Sequence, residues 1–584
     1  MSASTTESRR TSRGVLPPAD RLNEWAPWIA LAALMAVSFV LIMHAGRETT
    51  FYLDDWPALF SRQDWTWLSL VRPHIDHLQL FPFLVLKTMW STVGLHDYWV
   101  YRAVLAVLDL LAGTLLFLYG RKRIGPWPSL ALAACLVLMA PSWFNVLYAF
   151  QINFVGAMAA GLGALLLLDR ERRWSDVGAC VLLLVAIGCN GVGLPIIFAV
   201  VIDLVLRRGS RRRLWVPGIP LLLYALWRLE YGHYAPTQPN RETVWRALQE
   251  FPRWVFDALD DTAAAAVGFP IEYGAGIALA LVGLLAFALS RPGRLTSSPR
   301  LVALAALPLM FWLITAIGRV NEVATQPDEN RFLYPGGLFL MLLAIEAGRA
   351  YPMTRQVTVA VTVVLLFGAA RHANDLEAAG DAFRGVSVPG KDAATALDIA
   401  GELVPPNFAN ADPNQGAGLI EAGPYLAMVR HFGSSPGFTR SELLRQDDDR
   451  KRGVDQALVR IHRMGVIPVG SGAPTGDVAP RVTFQAEGKA GPAGRGCVRF
   501  TPKTPDKSSM TVEMPWSGIV VRTEGKLPLD VRVQRFSNLL PGDALGTIQP
   551  GAAASVKPTA PDKAPEPFRA NLFSGAPFTV CSSP

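Results

Sequence analysis

The sequence is short of charge: 17% of its 584 residues are Asp, Glu, Lys or Arg, against about a quarter in average usage. Hydrophobic residues make up 51%, and mean hydropathy is +0.28. A soluble protein of this length would carry more charge, so the balance excludes an ordinary soluble domain. Histidine and cysteine are also scarce, at eight and five. The sequence has no Gly-rich phosphate-cradling loop, no paired CxxC and no supported Ser-His-Asp arrangement. P-loop, zinc-ribbon and serine-hydrolase chemistry are therefore not expected. The net charge of +8 does not point to nucleic acid, because the basic residues cluster in short loops between apolar runs, where they set topology.

What the chain has instead is apolar runs of about 20 residues, the length that crosses a bilayer. Expected spans are 25–44, 99–119, 128–141, 151–168, 175–190, 192–206, 214–228, 273–290, 300–318, 333–350 and 353–370, about eleven. The first follows Arg9, Arg10, Arg13 and Arg21, is longer than a signal-peptide core, and lacks a small-residue cleavage site. It reads as a retained span with residues 1–24 as a cytoplasmic tail. The basic loops Gly120–Gly125, Asp169–Arg173, Arg207–Arg213 and Ser290–Arg294 alternate with loops poorer in Lys and Arg, which places the basic set on the cytoplasmic side. The loops holding residues 45–98, 141–153, 229–270 and 318–337 then face outward. Leu78–Gly94 reads as a surface helix in the first of these.

Beyond about Ala370 no run is long enough to span. Residues 371–474 read as an extracytoplasmic linker and helical region, with a helix over Ser441–Met464 broken at Gly453. Residues 475–584 show short period-two runs punctuated by Gly and Pro, the pattern of a β-sandwich. Cys135, Cys180 and Cys189 lie in apolar runs. Cys497 and Cys581 fall near the two ends of the β-rich region, and a disulfide between them would suit an oxidising compartment. The fold class is thus a polytopic α-helical membrane protein of about eleven spans, residues 25–370, with a C-terminal extracytoplasmic α+β region ending in a β-sandwich.

The outer loops hold the candidate chemistry. In "TFYLDDWPALF", Asp54 and Asp55 sit side by side among aromatic residues. Adjacent like charges favour one carboxyl that holds its proton and serves as a proton acceptor near neutrality. The alternatives are a shared divalent cation, with His77 as a further ligand, or an Asp capping a helix that begins near Trp56. His74 and His77 flank Asp76 in the same loop and are suited to orienting a base, a metal or a hydroxyl.

A first span, an outer Asp-Asp pair with aromatic flanks, a His-containing stretch, an amphipathic surface helix and then a second span: this order resembles the GT-C class of glycosyltransferases. The resemblance covers residues 25–370. It implies a membrane enzyme that takes a sugar from a polyprenyl-phosphate donor on the outer face and passes it to a glycan or lipid-linked acceptor. It also implies that Asp54 is the general base and that Asp55 positions the acceptor or a metal. The β-region resembles the carbohydrate-binding modules of arabinofuranosyltransferases in this class.

Such a transfer leaves negative charge on a lipid phosphate, which a guanidinium holds well. Arg331 in "DENRFLYP", followed by Tyr334, is the expected group, with Arg319 and Arg228 behind it. Tyr148, Gln151 and Asn153 are candidates to line the sugar site. Asp257, Asp260 and Asp261 share one face of a helix, read as the solvated side of an interfacial helix. Two other classes compete. One is a transporter or flippase of a lipid-linked glycan, which needs ionisable groups at mid-membrane and internal repeats. The other is a non-catalytic scaffold presenting a glycan-binding domain. The sugar, the acceptor and any metal requirement are not encoded in these patterns.

Overall fold

The computed structural model describes residues 18–207, 209–235, 240–290, 298–321, 326–351, 353–410, 420–470, 472–473, 475–504, 508–539 and 544–584. The tail arginines 9, 10 and 13, Arg208, and the basic turn residues Arg291 and Arg294 lie outside them. Packing divides the chain into two compact units. One comprises residues 1–45, 75–81 and 103–380. The other comprises 46–74, 82–102 and 381–584.

In the first unit every expected apolar run is helical, and among the described residues of the chain eight helices are long and apolar enough to cross a membrane. The other three runs form shorter helices, Arg173–Cys189, Gly193–Leu206 and Trp215–Tyr231. Eight, not eleven, therefore meet the length criterion. Helices Ile152–Leu168 and Arg173–Cys189 form an antiparallel hairpin. Small residues set its spacing: a side chain on Gly156 would lie 3.3 Å from Cys189 Sγ. Asn330–Gly348 runs through the centre of the unit with nearly every residue buried. Other helices expose large apolar side chains, among them Leu222, Leu226, Leu279 and Phe367, which suits a lipid-facing surface better than water.

The last long helix, Arg355–Ala400, continues well past the compositional change at residue 370. The expected Ser441–Met464 helix is two helices, Arg440–Arg445 and Asp448–Ile461, and the break falls at Gln446–Asp447, not at Gly453. Asp447 caps the second by accepting a bond from Arg450 N at 2.8 Å. Gly453 stays helical because Val454, Leu458 and Ile461 bury their side chains. A Cβ there would also lie 2.3 Å from Asp392 Oδ2.

The β-region folds as two antiparallel sheets. The five-stranded sheet has the order Gly546–Ile548, Leu529–Gln534, Phe568–Phe573, Ser509–Met514, Val482–Ala486. The six-stranded sheet has the order Ile467–Val469, Ala553–Val556, Ile519–Thr523, Phe578–Ser582, Cys497–Pro502, Gly488–Pro492. Cys497 and Cys581 are directly paired across neighbouring strands and joined by a disulfide. A fully buried ion group ties helix Asp448–Ile461 to these strands. Arg535 binds Asp562 at 2.6 and 3.0 Å, and His462 Nε2 lies 3.1 Å from the same carboxylate.

Candidate functional site

The acidic pair belongs to the second unit, in a loop that is tightly built. The Arg62 guanidinium donates to the carbonyls of Ser69, Arg72 and Pro73 at 2.5, 2.9 and 2.9 Å and lies over the Phe83 ring. Burial, then the Arg72 charge, lowers its pKa to about 9. Lys87 donates to Ser69 Oγ at 2.6 Å. Burial, then Arg62, lowers its pKa to about 8. Phe51 packs edge-on to Tyr98 and Tyr101, and Trp56 lies against Tyr425. These rings fix the turn at Leu53, whose φ of 41° is in the left-handed region.

That turn separates the two carboxylates. Asp55 is 1% exposed, and its Oδ2 accepts the Tyr52 N–H at 2.9 Å. Burial raises its pKa well above the usual carboxylate range; the Tyr52 bond opposes this and the Asp54 charge adds to it. Asp54 stands at the N-cap of helix Asp55–Ser61, yet its side chain makes no capping bond. It is half-buried. Capping therefore does not account for Asp54, while Asp55 is committed to the turn. His74 is buried edge-on against Phe83. Among the described residues, no group of three or more His, Cys, Asp or Glu is arranged to hold a metal ion.

A different constellation forms in the first unit. His77 follows the turn Ile75–Asp76, and its ring lies against Gly191, where a Cβ would come within 2.7 Å of Nδ1. Desolvation pushes its pKa down to about 4; the charges of Arg319, Arg331 and Arg228 also lower it, while Asp76 raises it. Three guanidinium groups from different helices thus lie within electrostatic range of one uncharged imidazole. Arg331 sits in the first turn of Asn330–Gly348. It pairs with Glu329 at 2.9 Å and has no partner for Nε. Asn145 Nδ2 donates to the Arg331 carbonyl at 2.9 Å, which holds the start of that helix.

Buried carboxamides occur in the same unit. Asn145, Gln151, Asn153, Asn190 and Gln79 are each 4% exposed or less. Each has a side-chain oxygen or nitrogen with no hydrogen-bond partner. Asn190 ends the helix that Gly156 touches, next to the Gly191 that touches His77, and Gln79 is two residues beyond His77. A buried unsatisfied amide atom costs about 1–3 kcal/mol. Those of Asn145, which bonds the Arg331 carbonyl, of Asn190, beside the Gly191 that meets His77, and of Gln79 call for a polar ligand.

Of the expected site residues, His77 and Arg331 fall in this constellation, with Arg319 and Arg228, while Gln151 and Asn153 are buried at the start of helix Ile152–Leu168 in the same unit. Tyr334 does not. It is fully buried, and its hydroxyl donates to Asp109 Oδ1 at 2.5 Å, a bond that occupies it inside a span. Asp257, Asp260 and Asp261 lie on helix Arg241–Val267. Burial and a hydrogen bond with Asp328 raise Asp261 to about 6. On that helix Trp245, Leu248 and Phe256 are exposed while Trp254 is buried. Asn145, Asn190 and Gln79 were missed. Their signal was a carboxamide beside an apolar run.

No family model matches the chain, and no curated protein does. The chain is similar to two crystal structures of ArnT from Cupriavidus metallidurans. One, bound to undecaprenyl phosphate, is 16% identical with a TM-score of 0.42, over 68% of this chain and 84% of that one. The other, in the apo state, is 15% identical with a TM-score of 0.44, over 69% and 85%.

Proposed function

We propose that the chain is a membrane glycosyltransferase that moves a sugar from a polyprenyl-phosphate donor to an extracytoplasmic glycan or lipid-linked acceptor, with inversion. The observation that carries this reading is His77, kept uncharged by burial and within the electrostatic reach of Arg319, Arg331 and Arg228, together with buried carboxamides that have unsatisfied atoms, within a bundle of apolar helices. Arginines recognise a phosphate by charge-assisted bonds. Carboxamides both donate and accept, as the hydroxyls of a sugar require. An apolar helix surface suits a polyprenyl chain.

In this mechanism the acceptor oxygen attacks the anomeric carbon as the bond to the phosphate oxygen breaks. The electron pair leaves with the phosphate, where Arg331, with Arg319 and Arg228, stabilises the developing charge. Asp54 takes the proton of the acceptor hydroxyl. Asp55, held by Tyr52 and disposed to keep its proton, shapes the turn and is not the base. His77, uncharged above about pH 4, offers a hydrogen bond without adding charge. The N-terminus is assigned to the cytoplasm and the second unit to the outer side. No metal is assigned.

The test is transfer by the purified protein from a panel of polyprenyl-phosphate sugars, with the anomeric configuration of the product read by NMR. Asp54→Asn is expected to lower transfer by about 10²–10⁴, the range of general base catalysis, with unchanged thermal unfolding. Retained transfer in that variant removes Asp54 as the base. Absence of transfer from every donor by the unmodified protein removes the enzyme reading.

A further inference from the structure

A separate pocket lies wholly within the second unit, far in sequence from the arginine cluster. Its volume is about 400 Å³, within the range of small-ligand sites. Three stretches build it: His96 precedes the span Tyr98–Gly120, Asp398 and Phe438 come from the helical region, and Phe536 and Lys563 come from the β-region. No fragment limited to residues 475–584 contains it.

Its polar groups are held in place by others. Ser435 Oγ donates to the Asp398 carboxylate, and the Tyr425 hydroxyl lies 3.0 Å from Oδ1 of the same group. His96 Nε2 lies 3.0 Å from Glu442. The exposed Lys563 ammonium gives one bond to the Asp398 carbonyl at 3.0 Å; an ammonium has three donors, so two remain for a ligand. The half-buried Phe438 ring supplies most of the apolar ring surface, since Phe536 is 6% exposed.

We propose that this pocket binds a saccharide unit of a glycan. A sugar ring carries C–H faces that pack on aromatic rings and a rim of hydroxyls that donate and accept. The pocket matches both, with the Phe438 ring, a fixed carboxylate, serine and threonine hydroxyls, and an ammonium. An anionic headgroup fits it less well, because the Arg440 guanidinium is taken by Glu566 and Asp398 would repel an anion. Saccharide binding stands on the chemistry of the pocket. Its role as a hold on the acceptor, away from the bond being made, rests on the transferase reading.

The experiment uses the full chain in detergent. Saturation-transfer NMR measures binding of soluble hexasaccharides of glucose, mannose, arabinofuranose and galactofuranose. At least one is expected to bind saturably, with Lys563→Met and Phe438→Ala each weakening it about tenfold or more. Lys563→Met changes only an exposed side chain, so it decides alone if Phe438→Ala fails to fold. Asp54→Asn is expected to bind as the unmodified chain does. No saturable binding, or binding unchanged in Lys563→Met, overturns the pocket. Binding with no transfer from any donor overturns the transferase reading and leaves the pocket standing.

Discussion

The two ends of the helical unit use arginine in opposite ways. At one end Arg300 binds Asp203 at 2.9 Å and Asp169 at 3.2 Å, with the Arg300 and Asp203 side chains 6% and 2% exposed. Arg123 joins Asp169 at 2.7 Å and Glu346 at 2.8 Å, and Arg213 joins Asp176. Each of these cations faces carboxylates on neighbouring helices. At the other end Arg228, Arg319 and Arg331 lie within electrostatic reach of His77, which burial keeps uncharged, and buried amides in the same unit have unfilled bonds. The first arrangement is finished by the protein itself. The second leaves Arg331 Nε and several carboxamide atoms unsatisfied among the described residues, and on the transferase proposal these are the groups that a phosphorylated sugar would meet.

The contrast can be broken at its closed end first. Asp203→Ala leaves the buried Arg300 without its closest partner and should destabilise by about 3–5 kcal/mol, as loss of one member of a buried pair does. Thermal unfolding in detergent would show a large fall, or the variant would not accumulate. Arg331→Ala is the counterpart at the open end. It should cost transfer about 10²–10³, the scale of one lost charge-stabilising donor, with stability changed by less than about 1 kcal/mol. If Arg331→Ala unfolds the protein as Asp203→Ala does, both ends are structural and the distinction fails.

The smallest effect is a pH dependence. His77 has its pKa lowered from the ordinary 6.5 to about 4, so the unfolded chain binds its proton more readily than the folded one. Its contribution is complete above pH 6.5 and is lost as pH falls toward 4, on the order of 3 kcal/mol in total. His77→Gln should flatten this acid limb in melting temperature measured against pH. An unchanged limb would mean that burial and the neighbouring arginines do not hold the ring neutral.

These features differ in how legible they were. Apolar length disclosed the spans because a bilayer demands it directly, and the runs that fell short did so where helices of 14–17 residues are joined by tight turns. Period-two alternation disclosed part of the β-region, most plainly Leu529–Gln534, where buried and half-buried residues alternate. Arg331 was visible because a guanidinium at the mouth of an apolar helix is costly without a task. Tyr334, three residues on, has the same sequence context but turns into the bundle onto Asp109, a pairing of residues 225 apart that no local pattern carries. Asn145 and Asn190 resemble ordinary helix-end residues, and only burial without partners distinguishes them. The separation of Asp54 from Asp55 depends on a left-handed turn at a leucine, which no propensity scale would assign.

The placement of strand Phe578–Ser582 bears on how the molecule is made. It is the latest strand in sequence, yet it lies inside the six-stranded sheet, between Ile519–Thr523 and Cys497–Pro502. Until it arrives, both neighbours present open edges, and an open edge invites pairing with other chains. Its partners lie many residues back, so closure is slow relative to local folding. The disulfide to Cys497 then locks the insertion covalently, stabilising by about 2–4 kcal/mol. Quality control could therefore read one event: a chain that has not oxidised this pair has not finished its sheet.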